Sequence, residues 1–274
     1  MKIGIIGQGF VGKAVYQKFK KYFTVKTFDI DESKCNTTFD EVIFYSDIIF
    51  MCLPTPMNND GSCNINIVKN TLEEINKKNK KLIIILKSTV PPGTTQKLND
   101  IFSNISIVFN PEFLTERNAV DDYINQNRII IGGPRPSTTI IKQLFNKVFD
   151  DCHIIKTGST HAEFIKYFTN CFLATKVSFS NEMYELSKSL DLDYDKIVEY
   201  AVLDKRLGKT HFNVPGPDGD IGFGGHCLPK DLNALVFLTE KKSTTNNVLK
   251  SVIKTNDKLR KNRDWEKMKG RAIN

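Results

Sequence analysis

A short apolar run, a glycine-rich turn and a run with helical spacing open the chain, and this order restricts the fold more than any other feature. The first apolar run stops at Gly7, and Gly7, Gly9 and Gly12 form a G-x-G-x-x-G pattern. A second apolar run ends at Asp29, twenty residues after Gly9. Strand, glycine turn, helix, strand and acid in this order predict a dinucleotide-binding βαβ unit.

Each residue of this pattern has a specific physical task. Gly7 permits the tight turn, Gly9 lets a pyrophosphate approach the backbone at a helix N-terminus, and Gly12 lets the helix pack closely on the strand. Asp29 can accept hydrogen bonds from both hydroxyls of a ribose and would repel a 2′-phosphate, so NAD is expected instead of NADP. A glycine turn in an unrelated α/β domain is the alternative interpretation.

The composition indicates a soluble globular protein. The chain has 274 residues, of which 40% are hydrophobic and 26% charged, enough for one large or two ordinary domains. We see no apolar run of membrane-spanning length and no secretory signal, so a cytoplasmic location is expected. The six cysteines show no spacing typical of a metal site, and we expect reduced thiols and no metal. The formal charge of +8 suits an anionic ligand such as a nucleotide.

Strands and helices alternate through residues 1–157, which predicts an α/β fold with a Rossmann-type parallel sheet. Further strands are expected at 47–53, 81–86, 105–109, 128–132 and 152–156, and further helices at 65–76 and 137–148. Polar turns follow several strands and place five side chains along one rim of the sheet: Thr55, Ser88, Thr89, Glu112 and Glu116. Singly, each fits a helix cap or a first turn. Their joint placement favours a ligand site.

Residues 159–190 contain no glycine or proline and predict one long helix with Thr160 as its N-cap. Four phenylalanines are expected on its buried face: Phe164, Phe168, Phe172 and Phe179. Lys166 and Asn170 are four residues apart and share a face. From this helix alone, a solvated charge is the simpler interpretation of Lys166.

Shorter helices are expected at 195–202, 232–241 and 247–261, which makes the second half an all-helical domain. The residues after 241 are rich in lysine and arginine and contain one aromatic residue, Trp265. We expect a solvated face and a frayed tail there, and nucleic-acid binding is disfavoured. The predicted organisation is a cofactor domain at 1–157, a helical central and dimerisation domain at 158–262, and a basic tail at 263–274.

A glycine-rich stretch, residues 222–231, carries the chemistry of the second half. Its sequence is Gly-Phe-Gly-Gly-His-Cys-Leu-Pro-Lys-Asp. Glycines at this density let the backbone come close to a ligand, so Cys227 would face that ligand with Lys230 and Asp231 nearby. Two interpretations stay open at this point: Cys227 is a small buried hydrophobic residue, or it is a nucleophile.

Together these motifs resemble one family, the UDP-glucose/GDP-mannose dehydrogenases. The matching stretches appear in family order at 7–12, 52–56, 87–91, 110–114, 163–170, 181–182 and 222–231. The resemblance implies NAD-dependent, four-electron oxidation of C6 of a nucleotide sugar, UDP-glucose first, to the uronic acid, in polysaccharide biosynthesis. It also implies a homodimer formed through the long helix.

The resemblance assigns roles to individual residues. Cys227 is the implied nucleophile of a thiohemiacetal and thioester pathway, Lys166 stabilises oxyanions, and Glu112 is the base for thioester hydrolysis. The residues implied to position a water and move protons are Asn170, Thr89 and Asp231. The implied cofactor contacts are Gly7, Gly9, Phe10, Val11, Gly12, Asp29, Thr55, Thr89 and Glu116. The implied substrate contacts are Phe113, Leu114, Lys166, Asn170, Arg206, Phe223 and Gly224.

Two departures from the family pattern are visible. Relatives carry a third domain, on the order of 100 residues, that binds the nucleotide half of the substrate, and the resemblance does not extend to it. The segment between Asp29 and Asp47 is also shorter than in relatives. Three other hypotheses therefore stay open: a two-domain β-hydroxyacid dehydrogenase that needs no Cys227, a non-catalytic NAD-binding relic, and, last, a nucleic-acid binder.

Overall fold

The computed structural model describes residues 1–274, which form two compact units. Unit 1 consists of Met1–Thr55 and Ile65–Lys166, and unit 2 consists of Pro56–Asn64 and Tyr167–Asn274. The division falls inside a long helix, which begins in unit 1 and continues in unit 2.

Unit 1 is built on a seven-stranded sheet, which confirms the predicted α/β fold with a Rossmann-type sheet. The strands are β1 Ile3–Ile6, β2 Val25–Phe28, β3 Ile48–Met51, β4 Leu82–Leu86, β5 Ile105–Phe109, β6 Arg128–Gly132 and β7 His153–Thr157. Their order in the sheet is β2-β1-β3-β4-β5-β6-β7. The chain therefore moves outward in opposite directions from β1, to β2 on one side and to β3 on the other.

The sequence predicts a parallel sheet, but one pair of strands in the structure is antiparallel. Strands β5 and β6 pair in antiparallel fashion, Phe109 opposite Gly132, whereas β6 and β7 are parallel again. The segment between β5 and β6 contains a single short helix, Ala119–Ile124. A parallel pair needs a crossover connection of a dozen or more residues, usually with a helix packed on the sheet. Here the chain instead re-enters the sheet at the end where β5 stops, so β6 runs opposite to β5.

The core of unit 1 follows from alternation along the strands, because successive side chains point to opposite faces of a sheet. Phe50 and Ile85 belong to one buried cluster, while their neighbours Ile49 and Ile84 belong to a second. All four are fully buried. Both faces of the sheet are therefore covered, as expected for strands that are apolar along their whole length.

Six helices surround this sheet, and three of them were not predicted. The helices are α1 Phe10–Phe19, α2 Phe39–Tyr45, α3 Asn66–Lys77, α4 Thr94–Ile101, α5 Ala119–Ile124 and α6 Ser137–Asn146. Helices α2, α4 and α5 have six to eight residues each. Such short helices leave too few apolar repeats for the sequence pattern to reveal them.

The second half is helical. The long helix α7 covers Ser159–Ser189, and α8, α9 and α10 cover Tyr194–Ala201, Cys227–Lys241 and Asn247–Leu259. The core of unit 2 includes Tyr167 and Cys171 of α7 with Phe223, Leu232 and Val252. None of the helices is both long and apolar enough to span a membrane.

Two expectations about the limits of these helices were wrong. Helix α7 begins at Ser159, so Thr160 lies inside its first turn and is not the N-cap. Helix α9 begins at Cys227, five residues earlier than predicted. Pro229 is compatible with this start because the first turn of a helix does not need its N–H.

The phenylalanine face of α7 is exposed, not buried. Phe164, Phe168, Phe172 and Phe179 are 48%, 63%, 57% and 56% exposed. The opposite side of the helix carries Tyr167, Cys171 and Ala174 into the core. The spacing predicted a shared face correctly, but it could not tell a face covered within the chain from one left uncovered.

Residues 263–274 are not a frayed tail. A short 3₁₀ helix forms at Asp264–Lys267, and Trp265 is only 4% exposed. Further along, Met57 donates its N–H to the carbonyl of Ala272 at 2.8 Å and accepts from the N–H of Asn274 at 2.9 Å. This segment is therefore an ordered part of unit 2.

Candidate functional site

The glycine turn after β1 has the geometry that a pyrophosphate requires. Gly7 has φ +91°, and a Cβ there would overlap the carbonyl oxygen of Cys52. A Cβ on Gly12 would overlap the carbonyl oxygen of Gly7. Helix α1 can therefore pack this closely on the turn only because residue 12 is glycine. At Gly9 nothing lies within 4 Å of a Cβ position, which leaves open space at the N-terminus of α1. The sheet order also reverses direction here, where open α/β sheets bind ligands.

Asp29 lies next to this turn, at the end of β2. Its Oδ2 accepts from the N–H of Gln8 at 2.5 Å and its Oδ1 accepts from the N–H of Asp31 at 2.9 Å. The Cys35 thiol contacts the N–H and the carbonyl of Asp29, both at 3.0 Å. The carboxylate is therefore fixed beside the phosphate position. An NAD ribose fits these residues, because the acid follows β2 and the open glycine follows β1, and these two strands are adjacent in the sheet.

The structure brings together some of the side chains predicted to line one rim of the sheet in unit 1. Thr55 Oγ1 donates to the carbonyl of Thr89 at 2.7 Å, and Ser88 Oγ accepts from the N–H of Leu53 at 2.9 Å. These bonds tie the turn after β3 to the turn after β4. Phe10 and Val11 are half-buried in the first turn of α1, whereas Glu116 is exposed. Cofactor contacts of these residues stay predictions.

Lys166 and Glu112 form a buried ion pair in unit 1. The Lys166 ammonium lies 3.0 Å from Glu112 Oε1 and donates to the Glu112 carbonyl at 2.6 Å. Glu112 Oε2 accepts from the N–H of Leu114 at 2.7 Å. Burial acts to raise the pKa of Glu112, but Lys166 and this N–H hold that pKa below its usual value. The solvated charge that the helix alone suggests for Lys166 is wrong, since the residue is 2% exposed.

A second buried lysine accompanies this pair. Lys87, at the end of β4, is 3% exposed and donates to Asn110 Oδ1 at 2.9 Å. Burial lowers the pKa of Lys87 to about 8, although Cys52 and Glu112 act to raise it. Burial also raises the pKa of the Cys52 thiol to about 12. Two cations thus accompany one carboxylate here, an arrangement that favours an added anion.

In unit 2, Cys227 is half-buried and is the first residue of α9, with His226 as the N-cap. The N-terminus of a helix presents unpaired N–H groups and a partial positive charge, and both stabilise a thiolate. Of the two interpretations left open by the sequence, this position favours the nucleophile.

One turn further along α9, Lys230 and Asp231 form a buried pair. Lys230 Nζ lies 2.5 Å from Asp231 Oδ1, and Asp231 Oδ2 accepts from Asn170 Nδ2 at 2.6 Å. Burial alone would lower the pKa of Lys230, but Asp231 raises it above its usual value. The Lys230 ammonium therefore stays charged and acts on Cys227 through the same electrostatic field. The structure thus brings Asn170 and Asp231 together, as their implied shared role requires.

The implied substrate contacts are dispersed. Phe113 lies under the Lys166 ammonium, 5.4 Å from its ring centroid, and Leu114 is half-buried beside it. Phe223 is 5% exposed and belongs to the core of unit 2, so its ring is committed to packing. Arg206 is exposed and bonds Asp204 through Nε at 2.9 Å. Substrate roles for these residues stay predictions.

Sequence reasoning gave no role to several residues that shape these sites. Glu163 is fully buried and accepts from the N–H groups of Gly93 and Thr95, at 2.6 and 2.7 Å, at the start of α4. Lys87 lies in a recognised motif, yet its burial has no local sequence signal. The side chains of Asn256 and Asp264 hold the glycine stretch before Cys227. Such long-range contacts leave no periodicity in the sequence.

Comparison with known families identifies two matching domains. Residues 34–152 match the NAD binding domain of the UDP-glucose/GDP-mannose dehydrogenase family. Residues 160–258 match the central domain of the same family. A UDP-glucose 6-dehydrogenase of Rickettsia bellii is 32% identical over 246 residues, which cover 87% of this chain and 55% of that protein. The chain spans between 51% and 63% of the length of such curated relatives.

Solved structures show the same likeness. A UDP-glucose dehydrogenase from Pyrobaculum islandicum superposes with a TM-score of 0.84 at 26% identity, covering 94% of this chain and 68% of that one. A 3-hydroxyisobutyrate dehydrogenase from Mycobacterium tuberculosis superposes with a TM-score of 0.74 at 15% identity, covering 94% and 92%. At that identity the second likeness concerns the fold alone.

Proposed function

Because the chain belongs to the UDP-glucose/GDP-mannose dehydrogenase family, we propose that it oxidises C6 of a nucleotide sugar, UDP-glucose first, to the uronic acid with NAD. The observation that carries this proposal is the placement of Cys227 at the start of α9, one turn before the buried Lys230–Asp231 pair. A simple alcohol dehydrogenase needs no such thiol. A four-electron oxidation of one carbon does, because the aldehyde must be held between the two steps.

Unit 1 holds the cofactor in this proposal. Gly9 and the N–H groups at the start of α1 receive the pyrophosphate, and Asp29 accepts from the ribose hydroxyls. Two molecules of NAD, bound one after the other, would each accept one of the two hydrides that leave C6. The fixed Asp29 carboxylate disfavours a 2′-phosphate, which makes NAD the preferred form.

Cys227 provides the covalent step. Its thiolate adds to C6 of the aldehyde, and a C–S bond forms while the carbonyl oxygen becomes an oxyanion. Loss of the second hydride turns this adduct into a thioester. Water then adds at C6, the C–S bond breaks, and the thiolate leaves as the carboxylate forms. Lys230 stabilises the thiolate before it attacks the aldehyde and again when it leaves the thioester.

Lys166 and Glu112 act as a coupled pair in the proposal. The Lys166 ammonium stabilises the oxyanion, and Glu112 takes the proton of the attacking water. With Lys166 bonded to Glu112, the lowered pKa of Glu112 makes its carboxylate a weak base. When Lys166 turns to an oxyanion, Glu112 loses that stabilisation and becomes a stronger base. Asn170 and Asp231, which are hydrogen-bonded, position the water.

We also propose a homodimer through the exposed face of α7. Phe168, Phe172 and Phe179 are more than half exposed, and a contiguous aromatic face of this kind marks an interface. The change Phe168→Glu should convert the dimer to a monomer in sedimentation velocity. The matched control is Phe44→Glu, which changes another exposed phenylalanine on α2. A mass unchanged by Phe168→Glu would contradict this interface.

The decisive assay for the reaction is NADH formation by the purified protein with a panel led by UDP-glucose and GDP-mannose. We expect two NADH per sugar released as acid, and no acid formation after Cys227→Ala. Cys152→Ala, which changes a half-buried cysteine of unit 1, is the control and should keep full turnover. A reduced thiol at position 227 also favours a cytoplasmic location.

The other hypotheses predict different results in this assay. A two-domain β-hydroxyacid dehydrogenase would form one NADH per small hydroxy acid and would not respond to Cys227→Ala. A relic would bind NAD without turnover of any nucleotide sugar. Either result would overturn the proposed reaction while leaving the cofactor site intact.

A further inference from the structure

The turn before Cys227 is held by side chains from other elements of unit 2. Asn256 of α10 bonds both polar backbone groups of Phe223: its Oδ1 accepts from the N–H at 2.8 Å and its Nδ2 donates to the carbonyl at 3.0 Å. Asn181 Oδ1 accepts from the N–H of Gly222 at 3.1 Å. Glycine has the largest conformational freedom of any residue, so these bonds select one conformation of the turn.

The contact nearest to the cysteine comes from Asp264. Its Oδ2 accepts from the N–H of Gly225, two residues before Cys227, at 3.0 Å. Its Oδ1 lies 3.3 Å from Nη2 of Arg260, and Nη1 of Arg260 lies 2.8 Å from Asp218 Oδ2. Arg260 is only 3% exposed, so its guanidinium fixes the Asp264 carboxylate from within the protein.

The packing leaves no room for the turn to move toward this pair. A Cβ on Gly224 would overlap both the Arg260 guanidinium and the Asp264 carboxylate. Trp265, next to Asp264, lines a small cavity together with Phe223. Residues 260–265, which we call the brace, therefore lie directly against the turn.

We propose that the brace is a positioning element for Cys227, and that Asp264 is its central residue. By holding Gly225, Asp264 sets the residue at which α9 begins and so places the Cys227 thiol at the helix N-terminus. Without this bond the first turn of α9 frays, and the thiolate loses the N–H groups that stabilise it. The inference rests on the proposed function for its meaning, because a placed thiolate matters only if Cys227 is the nucleophile.

Other charged and titratable groups of unit 2 also act near Cys227, and the test must keep them unchanged. They are His226, Lys230, Asp231 and Cys63. The contacts of Asp264 described above are with Gly225 and Arg260, and its replacement removes these contacts.

The test is the rate of alkylation of Cys227 by iodoacetamide between pH 5 and 10, followed by mass spectrometry of the peptide that contains Cys227. In Asp264→Ala we expect the midpoint of the rate profile to rise by about half a pH unit, the size of a helix-terminus effect. The matched control is Glu266→Ala, which removes an exposed acid of the same segment that bonds Arg263 at 2.5 Å. Its midpoint should equal that of the wild type.

The fold of the brace is checked in the same samples. Trp265 is the only tryptophan, so its emission maximum reports whether the brace stays packed. If Asp264→Ala shifts the emission to longer wavelength, Asp264→Leu decides, since it keeps the approximate size of the side chain and removes both oxygens that could accept from Gly225. A midpoint equal to that of the wild type in the deciding variant would overturn the proposal.

This experiment separates the inference from the proposed function because it uses no substrate. A raised midpoint without turnover on any nucleotide sugar would keep the positioning role and reject the dehydrogenase. Normal four-electron turnover with an unchanged midpoint would reject the positioning role alone.

Discussion

Replacing Lys87 by methionine is expected to change the stability of unit 1 in a pH-dependent way. Lys87 is 3% exposed, and burial lowers its pKa from 10.5 to about 8. Below about pH 8 the lysine is protonated in both the folded and the unfolded state, so the full cost of burying the charge is present. Between about pH 8 and 10.5 the unfolded state binds more protons, and the free energy of unfolding of the wild type therefore rises with pH.

The size of this effect follows from the two pKa values. Their difference of about 2.5 corresponds to about 3 kcal/mol at about 1.4 kcal/mol for each pKa unit. Most of the rise, about 2 kcal/mol, falls between pH 7.5 and 10. Methionine at this position cannot titrate, so its free energy of unfolding lacks this contribution. The loss of the donor to Asn110 Oδ1 adds an offset that does not depend on pH.

The assay is urea unfolding, followed by far-UV circular dichroism, of the wild type and Lys87→Met at four pH values from 7.5 to 10. We expect the difference in free energy of unfolding to move by about 2 kcal/mol in favour of the wild type as the pH rises. The control is Lys81→Met, which replaces an exposed lysine just before the same strand. A difference for Lys87→Met that stays constant across this range would refute the argument, because Lys87 would then titrate as an exposed lysine.

Three further predictions concern the cofactor site and its support. Gly9→Ala should cost less than about 1 kcal/mol of stability but weaken NAD binding in calorimetry, whereas Gly12→Ala should cost about 2 kcal/mol or more because its Cβ overlaps backbone; equal melting temperatures would contradict this. Asp29→Ala should lower the ratio of NAD to NADP affinity about tenfold or more, and an unchanged ratio would exclude its ribose role. Glu163→Ala should cost about 2 kcal/mol, since two N–H groups at the start of α4 lose their acceptor; an unchanged urea midpoint would count against it.

The cofactor half of the fold could be predicted because its signals are local. The glycine turn, the apolar strands and Asp29 lie within 30 residues, and each follows from backbone sterics or from charge. The long helix α7 was equally accessible, since an uninterrupted run without glycine or proline is typical of a helix. The three short helices α2, α4 and α5 and the antiparallel pairing of β6 with β5 depend on packing and were missed.

The sequence alone placed Cys227, Lys166 and Asp231 among the candidate residues but could not describe their surroundings. The start of a helix at Cys227, the bond of Lys166 to Glu112 and the bond of Asp264 to Gly225 are features of the tertiary structure. The two bonds join residues that lie 54 and 39 positions apart. Contacts over such distances are fixed by the packing of whole elements. The sequence by itself thus determined the fold class, the cofactor turn and the list of candidate site residues. Only the tertiary structure decided their burial, partners and protonation, because desolvation and ion pairing arise when distant segments exclude water together.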